Sequence, residues 1–167
     1  MIRKATQNDI PQLVEWMKRL VAHVQTSSGD PYVVNVEDGY ENNFADWFTE
    51  LIQSDAAVIF VAVEDEGNAG FIAGTLTAPF LTASTIKRIG QIDLCWVEPA
   101  KRRKGIARKL CLQVERWFNE RGIKYVDIQY LVGNSEAEKS WFNLGYKPYR
   151  IFSRKELRTD EITPVVH

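Results

Sequence analysis

Between Lys101 and Lys109 the chain reads Lys-Arg-Arg-Lys-Gly-Ile-Ala-Arg-Lys, six cations in nine residues of a protein whose formal net charge is only -1. An apolar segment, Ile92-Asp93-Leu94-Cys95-Trp96-Val97, comes before it, and Glu98-Pro99-Ala100 joins the two. This pattern predicts a strand feeding a helix through a basic, glycine-containing turn. The amides that begin a helix have no intrahelical acceptor, and the helix dipole adds positive potential at the same point. Gly105 and Ala107 keep side-chain bulk away from those donors, while Arg102, Arg103, Lys104 and Arg108 surround them with charge. The chemistry that fits is binding of a ligand carrying a diphosphate.

Few other groups invite chemistry. Cys95 and Cys111 lie in apolar stretches, without the paired spacing of a zinc site or the density of a disulfide scaffold, and read as reduced packing thiols. The only histidines are His23 and His167, so three or four converging ligands are not expected and no metal is predicted. His23 reads as structural, with a substrate contact as the alternative. Glu37, Asp38 and Glu41 read as a solvated face, or else as a lure for a cationic ligand. A net charge near zero argues against the broad basic surface of a duplex binder. The basic island, embedded between strand and helix, reads as neither a nucleic-acid patch nor a sorting signal. No apolar run is long enough for a bilayer and the N-terminus is too polar for a secretory leader, so a cytoplasmic location is expected.

These groups need a frame. Residues 1–7 suggest a short strand, and Ile10, Leu13, Val14, Met17, Leu20, Val21 and Val24 predict a helix over about 9–24, with Asp9 and Pro11 in its first turn. Residues 26–35 read as a loop. Phe44, Trp47, Phe48, Leu51 and Ile52 mark a second amphipathic helix ended by Ser54 and Asp55. Residues 56–63 and 70–77 read as an antiparallel hairpin, and 88–97 as a strand stopped by Pro99. Ile106, Leu110, Val114, Trp117 and Phe118 predict a helix over 103–121, with Gly122 as its cap. Residues 123–131 follow as a strand. Asn134 and Ser135 cap a short helix carrying Ala137, Trp141 and Leu144, and residues 146–157 read as a last strand or pair of strands, with a peripheral tail after Thr159. At 45% apolar and 26% charged residues, the 167-residue chain is expected to form one domain over 1–167, of α/β (α+β) class, its mixed sheet covered on both faces.

Arg102-x-x-Gly105-x-Ala107 resembles the acetyl-coenzyme A signature of the GNAT N-acetyltransferases, an Arg or Gln followed by spaced Gly and Gly or Ala. Ile2-Arg3-Lys4-Ala5-Thr6 with Asp9-Ile10-Pro11 is similar to the family's opening. Asn134 and Phe142-Asn143-Leu144-Gly145-Tyr146 resemble its final helix, so that the similarity spans about residues 1–152. The resemblance implies the GNAT fold: a central mixed, mostly antiparallel sheet of six or seven strands, the fourth and fifth splayed apart, covered by about four helices. It implies transfer of the acetyl group of acetyl-CoA to a primary amine of a small molecule or peptide, by direct attack in a ternary complex of what is expected to be a homodimer. It also assigns roles. Backbone groups of Cys95, Trp96 and Val97 would hold the pantetheine arm, Arg102, Arg103, Lys104, Gly105, Ile106, Ala107 and Arg108 the diphosphate, Asn134 and Ala137 the other side of the arm, and Lys139 the adenosine phosphate. An amide near Leu94 or Cys95 would polarise the thioester carbonyl. Asp93 takes the position of a carboxylate base, unless it merely satisfies a neighbouring backbone or cationic group. Glu98 is expected to pair with Lys101 or Arg102. Where the family places a tyrosine acid stands Trp141, whose indole does not ionise. Tyr146, Tyr130 or water would then serve, or the thiolate leaves unassisted. That departure keeps open a second reading, a catalytically weak acetyl-CoA-binding regulatory module.

Overall fold

The structure, a computed structural model, describes residues 1–37 and 39–157. Asp38, the Glu41 side chain and the tail after Thr159, each the subject of an expectation above, lie outside the described residues. β1 (Ile2–Lys4) is followed by one 3-10 turn (Gln7–Asp9) and α1 (Ile10–Ser28). Asp9 organises this start: its carboxylate accepts from the Thr6 amide at 2.8 Å and, on both oxygens, from the Arg3 guanidinium at 2.7 and 2.8 Å. Those bonds to a buried carboxylate hold its pKa at about 2. α1 runs past its predicted end, because the hydroxyls of Thr26, Ser27 and Ser28 fold back onto the carbonyls of His23 and Val24. Asp30 then caps the short α2 (Pro31–Val34) by accepting from the Tyr32 amide at 2.9 Å, so residues 26–35 are mostly helical and not the expected loop.

α3 (Tyr40–Gln53) leads into β2 (Ala57–Glu64), β3 (Gly67–Thr77) and β4 (Ile89–Val97). A 3-10 turn (Pro99–Lys101), α4 (Ile106–Asn119), β5 (Val126–Ile128) and α5 (Ser135–Asn143) complete the described elements. The sheet order is β1-β2-β3-β4-β5, antiparallel up to β4 and parallel between β4 and β5. The described sheet thus has five strands where six or seven were expected, with five α-helices where about four were. The difference falls at the C-terminal end, where residues 146–157 contain no strand. Pro148 lacks an amide donor there, and side chains tether the segment instead of ladder bonds. The Tyr149 hydroxyl donates to Asp127, Arg150 lies 4.8 Å over the Phe80 ring, and Arg154 sits between Asp30 at 2.9 Å and the Tyr32 ring at 3.9 Å.

Apolar residues gather on both faces of the sheet. Leu110, Val114, Trp117 and Phe118 of α4, with Trp141 of α5, pack on one face; Leu13 and Trp16 of α1, with Phe48 and Leu51 of α3, pack on the other. β4 separates the two sets in an irregular way. Ile92, Cys95 and Val97 belong to the α4 side, while Leu94 and Trp96 belong to the α1 side. Strict alternation would place Ile92 and Cys95 on opposite faces, so one residue is extra. The register locates it: Ala73 pairs with Leu94 and Gly74 with Ile92, which leaves Asp93 as the bulge.

Candidate active site

The bulge coincides with a parting of strands. β5 pairs with β4 only at Gly90, Gln91 and Ile92, and β4 then runs on to Val97 with β3 alone as neighbour. Between Asp93 and Val97, therefore, the main-chain groups on the β5 side of β4 face no described strand. Cys95, Tyr130, Ala107 and Ala137 are partly buried and pack against the α4-side cluster. Asp93 itself is half-buried, and one of its carboxylate oxygens is buried without a hydrogen-bond partner among the described residues. Burial raises its pKa above the ordinary carboxylate value, against an opposing pull from the Thr75 side chain. Such a carboxylate holds a proton better than a surface one. In contrast, burial pushes the Cys95 thiol up to about 12, which leaves almost no thiolate near neutral pH and suits packing rather than attack.

At the far end of β4 the basic turn divides into two groups. Lys101 is bound to Glu64 at 3.3 Å and to Glu66, and the Arg102 guanidinium donates to the Val97 carbonyl at 3.1 Å and to Glu136 at 3.0 Å while lying 5.0 Å over the Trp96 ring. Arg103 and Arg108 have no ion pair among the described residues, and Lys104 acts on Glu66 only at longer range. Arg103, Lys104, Gly105 and Arg108 are exposed. Arg103 and Gly105 both have left-handed backbone, φ 64° and 75°. The first bond of α4 runs from Lys109 N to the Gly105 carbonyl, so the amides of residues 103–108 have no acceptor among the described residues. Six consecutive donors beside three uncommitted cations make an anion cradle at a helix N-terminus. Glu98 does not serve the turn in the expected way. It accepts from Trp16 Nε1 at 2.7 Å and Arg19 at 2.9 Å, because α1 packs over this end of β4 and reaches it before Lys101 or Arg102 can.

The profile of the acetyltransferase (GNAT) family matches residues 15–146. The chain belongs to that family. As a GNAT member it is an acetyl-CoA-dependent N-acetyltransferase, and acetyl-CoA is its cosubstrate. It is 24% identical over 108 residues to an aminoglycoside N(6')-acetyltransferase type 1 of Salmonella typhimurium, covering 64% of this chain and 74% of that one. Its fold is similar to a tetramutant of the BH1408 protein from Bacillus halodurans, with TM-score 0.82, 16% identity and coverage of 94% and 99%. It also resembles a predicted acetyltransferase crystallised with acetyl-CoA from Clostridium acetobutylicum, with TM-score 0.71, 20% identity and coverage of 93% and 95%.

Within this GNAT frame the remaining candidates fall in different places. Asn134 is buried and caps α5, its side-chain oxygen accepting from the Ala137 amide at 3.1 Å. Ile106 is buried in the core, so its side chain faces away from any ligand at the cradle. The Trp96 side chain lies on the α1 side, with its Nε1 buried and without a partner among the described residues. Trp141 is buried in edge-to-face contact with Tyr146 at 5.4 Å. The Tyr146 hydroxyl donates to Glu115 at 2.8 Å beside Cys111, and burial makes it a weaker acid than a free phenol. Lys139 is exposed and lines an open pocket of about 360 Å³ with Tyr130, Glu138, Phe142, Asn143 and Pro148. Sequence reading missed Glu136, Glu115 and Thr75. Glu136 reads as a charge complementing the α5 dipole, and no pattern in the chain signals its partner 34 residues away. Among the described residues no cluster of His, Cys, Asp or Glu could hold a metal ion, and no helix is long and apolar enough to cross a membrane.

Proposed function

We propose that this enzyme acetylates a primary amine of a small molecule or peptide, of the multiply charged aminoglycoside-like kind that the name of its Salmonella relative suggests, by direct attack in a ternary complex. The observation that carries the reading is the run of amides at residues 103–108 without an acceptor among the described residues, flanked by Arg103, Lys104 and Arg108, at the end of a strand whose outer edge faces no described strand. Acetyl-CoA supplies an activated acetyl thioester. The cradle binds its diphosphate, and the open edge of β4 from Asp93 to Val97 offers main-chain partners for the arm. Asp93, on the face opposite α4 and beside Thr75 and Gln91, takes the proton that an ammonium must lose before it can attack. Its burial suits the role, since a base is most useful when its pKa approaches the working pH. Neither Trp141 nor Tyr146 stands ready to protonate the departing sulfur. Trp141 has no acidic proton, and Tyr146 has committed its own to Glu115. A thiol of pKa about 8.5 departs tolerably without help.

That missing acid also supports the competing reading, a cofactor-binding module with weak catalysis. We further read residues 1–167 as one domain acting in the cytoplasm as a homodimer, which light scattering on the purified chain tests. The deciding experiment is thiol release from acetyl-CoA across aminoglycosides, polyamines, amino acids and peptides. Saturable release with one class supports the enzyme. Tight calorimetric binding of CoA without release from any class supports the module, and no binding at all refutes both.

A further inference from the structure

The β4–α4 turn, α1 and α5 meet at a single carboxylate. Glu136 lies in the first turn of α5; one of its oxygens accepts from Arg102 at 3.0 Å, and the other is 3.5 Å from His23 Nε2 on α1. Arg102 in turn spans three partners: its Nε donates to the last carbonyl of β4, on Val97, its plane covers Trp96, and its outer nitrogen reaches Glu136. A planar guanidinium can do this, whereas an ammonium offers no comparable fork. The next residue, Arg103, is the only described non-glycine with positive φ, and Gly105 follows with another. A backbone bent this way persists only when its surroundings hold it. Beside this bend the Arg102 side chain is tied to Val97 and Trp96 at the end of β4, and Glu136 is its third partner.

We propose that Glu136 is a positioning residue for acetyl-CoA: through Arg102 it fixes the turn that aims the amides of residues 103–108, and through His23 it ties α1 to α5. The proposal rests on the reading of that turn as the diphosphate cradle. It makes Arg102 a strut of the signature rather than a phosphate ligand.

A double-mutant cycle on CoA affinity tests this, with Glu136→Ala, Arg102→Ala and the pair measured by calorimetry with CoA alone. Glu136 is largely exposed, so Glu136→Ala should weaken CoA binding about fivefold. The KM for acetyl-CoA should rise in parallel while kcat at saturating acetyl-CoA falls less than the affinity does, and Glu136→Gln, which keeps an acceptor oxygen, should restore part of the loss. Arg102→Ala should cost more, and the pair no more than Arg102→Ala alone, because the two act as a unit. If Arg102→Ala does not fold, Arg102→Lys completes the cycle. Additive losses, unchanged affinity in Glu136→Ala, or tighter binding in it because the freed arginine reaches the phosphates would overturn the proposal. CoA alone is the probe, so a chain that binds it but acetylates no amine still tests the role of Glu136. A wild type that fails to bind CoA removes the cradle and the proposal together.

Discussion

Gly105 is the position where a substitution separates backbone strain, bulk and charge. Its φ is +75°, and a Cβ built there meets nothing within 4 Å, so alanine finds room and costs only the left-handed backbone, about 1 kcal/mol. Asparagine, which tolerates that conformation, should cost less still. Glutamate adds a carboxylate beside a doubly charged diphosphate; for an assumed separation of roughly 6 Å and an effective dielectric of about 40, each charge pair is worth about 1.4 kcal/mol, or near 3 kcal/mol in all. That is about a 100-fold loss of affinity beyond whatever alanine loses. Calorimetric titration with CoA at low and high ionic strength reads both components, because the electrostatic part shrinks with salt and the steric part does not. We expect Gly105→Asn to bind like wild type, Gly105→Ala within about tenfold, and Gly105→Glu hardly at all at low salt. A folded Gly105→Glu protein that binds CoA within threefold of wild type would refute the phosphate cradle, and equal losses in alanine and glutamate would refute its electrostatic basis.

Asp93→Asn should lower kcat/KM by about 100-fold, the usual scale for a lost general base, and flatten the acidic limb of the pH profile. The sign follows from burial: the raised pKa means the base is lost on acidification at a pH above the ordinary carboxylate range, and an unchanged profile in the variant removes Asp93 from the mechanism. For Asp9, whose pKa is lowered from 3.8 to about 2, stability is present above pH 4 and drains away as pH falls towards 2. The shift corresponds to about 2 kcal/mol after allowance for the part-exposed Arg3, so Asp9→Asn should lower the urea midpoint at pH 7 and lose most of its difference from wild type near pH 2.5.

What the sequence made legible was local. The strand, turn and helix around residues 92–119 announce themselves through apolar runs, one proline, one glycine and a charge cluster, all within reach of a short window. Which cations of that cluster are free is a different matter. Lys101 and Arg102 are committed to Glu64, Glu66 and Glu136, more than 30 residues away on either side, and that pairing appears only once β2, β3 and α5 are in place. The missing last strand has a similar cause. Residues 146–157 carry strand-like residues, yet Pro148 and the side-chain tethers to Asp127, Phe80 and Asp30 hold them without a ladder. The helical stripe that carries Trp141 predicts packing, and the burial of that indole against Tyr146 agrees with it.

The extra residue at Asp93 links features that otherwise look separate. Ahead of it, β4 lies between two neighbours; beyond it, β5 is gone and the α4-side residues shift from the even numbers of Gly90 and Ile92 to the odd numbers of Cys95 and Val97. A bulge bends and twists the strand that carries it, which is the local change needed for β4 to leave β5 and expose an edge. The same insertion leaves Asp93 without a cross-strand partner, and one of its carboxylate oxygens is buried without a hydrogen-bond partner among the described residues. The open edge of β4 and the raised proton affinity of Asp93 thus lie at the same irregularity of the strand.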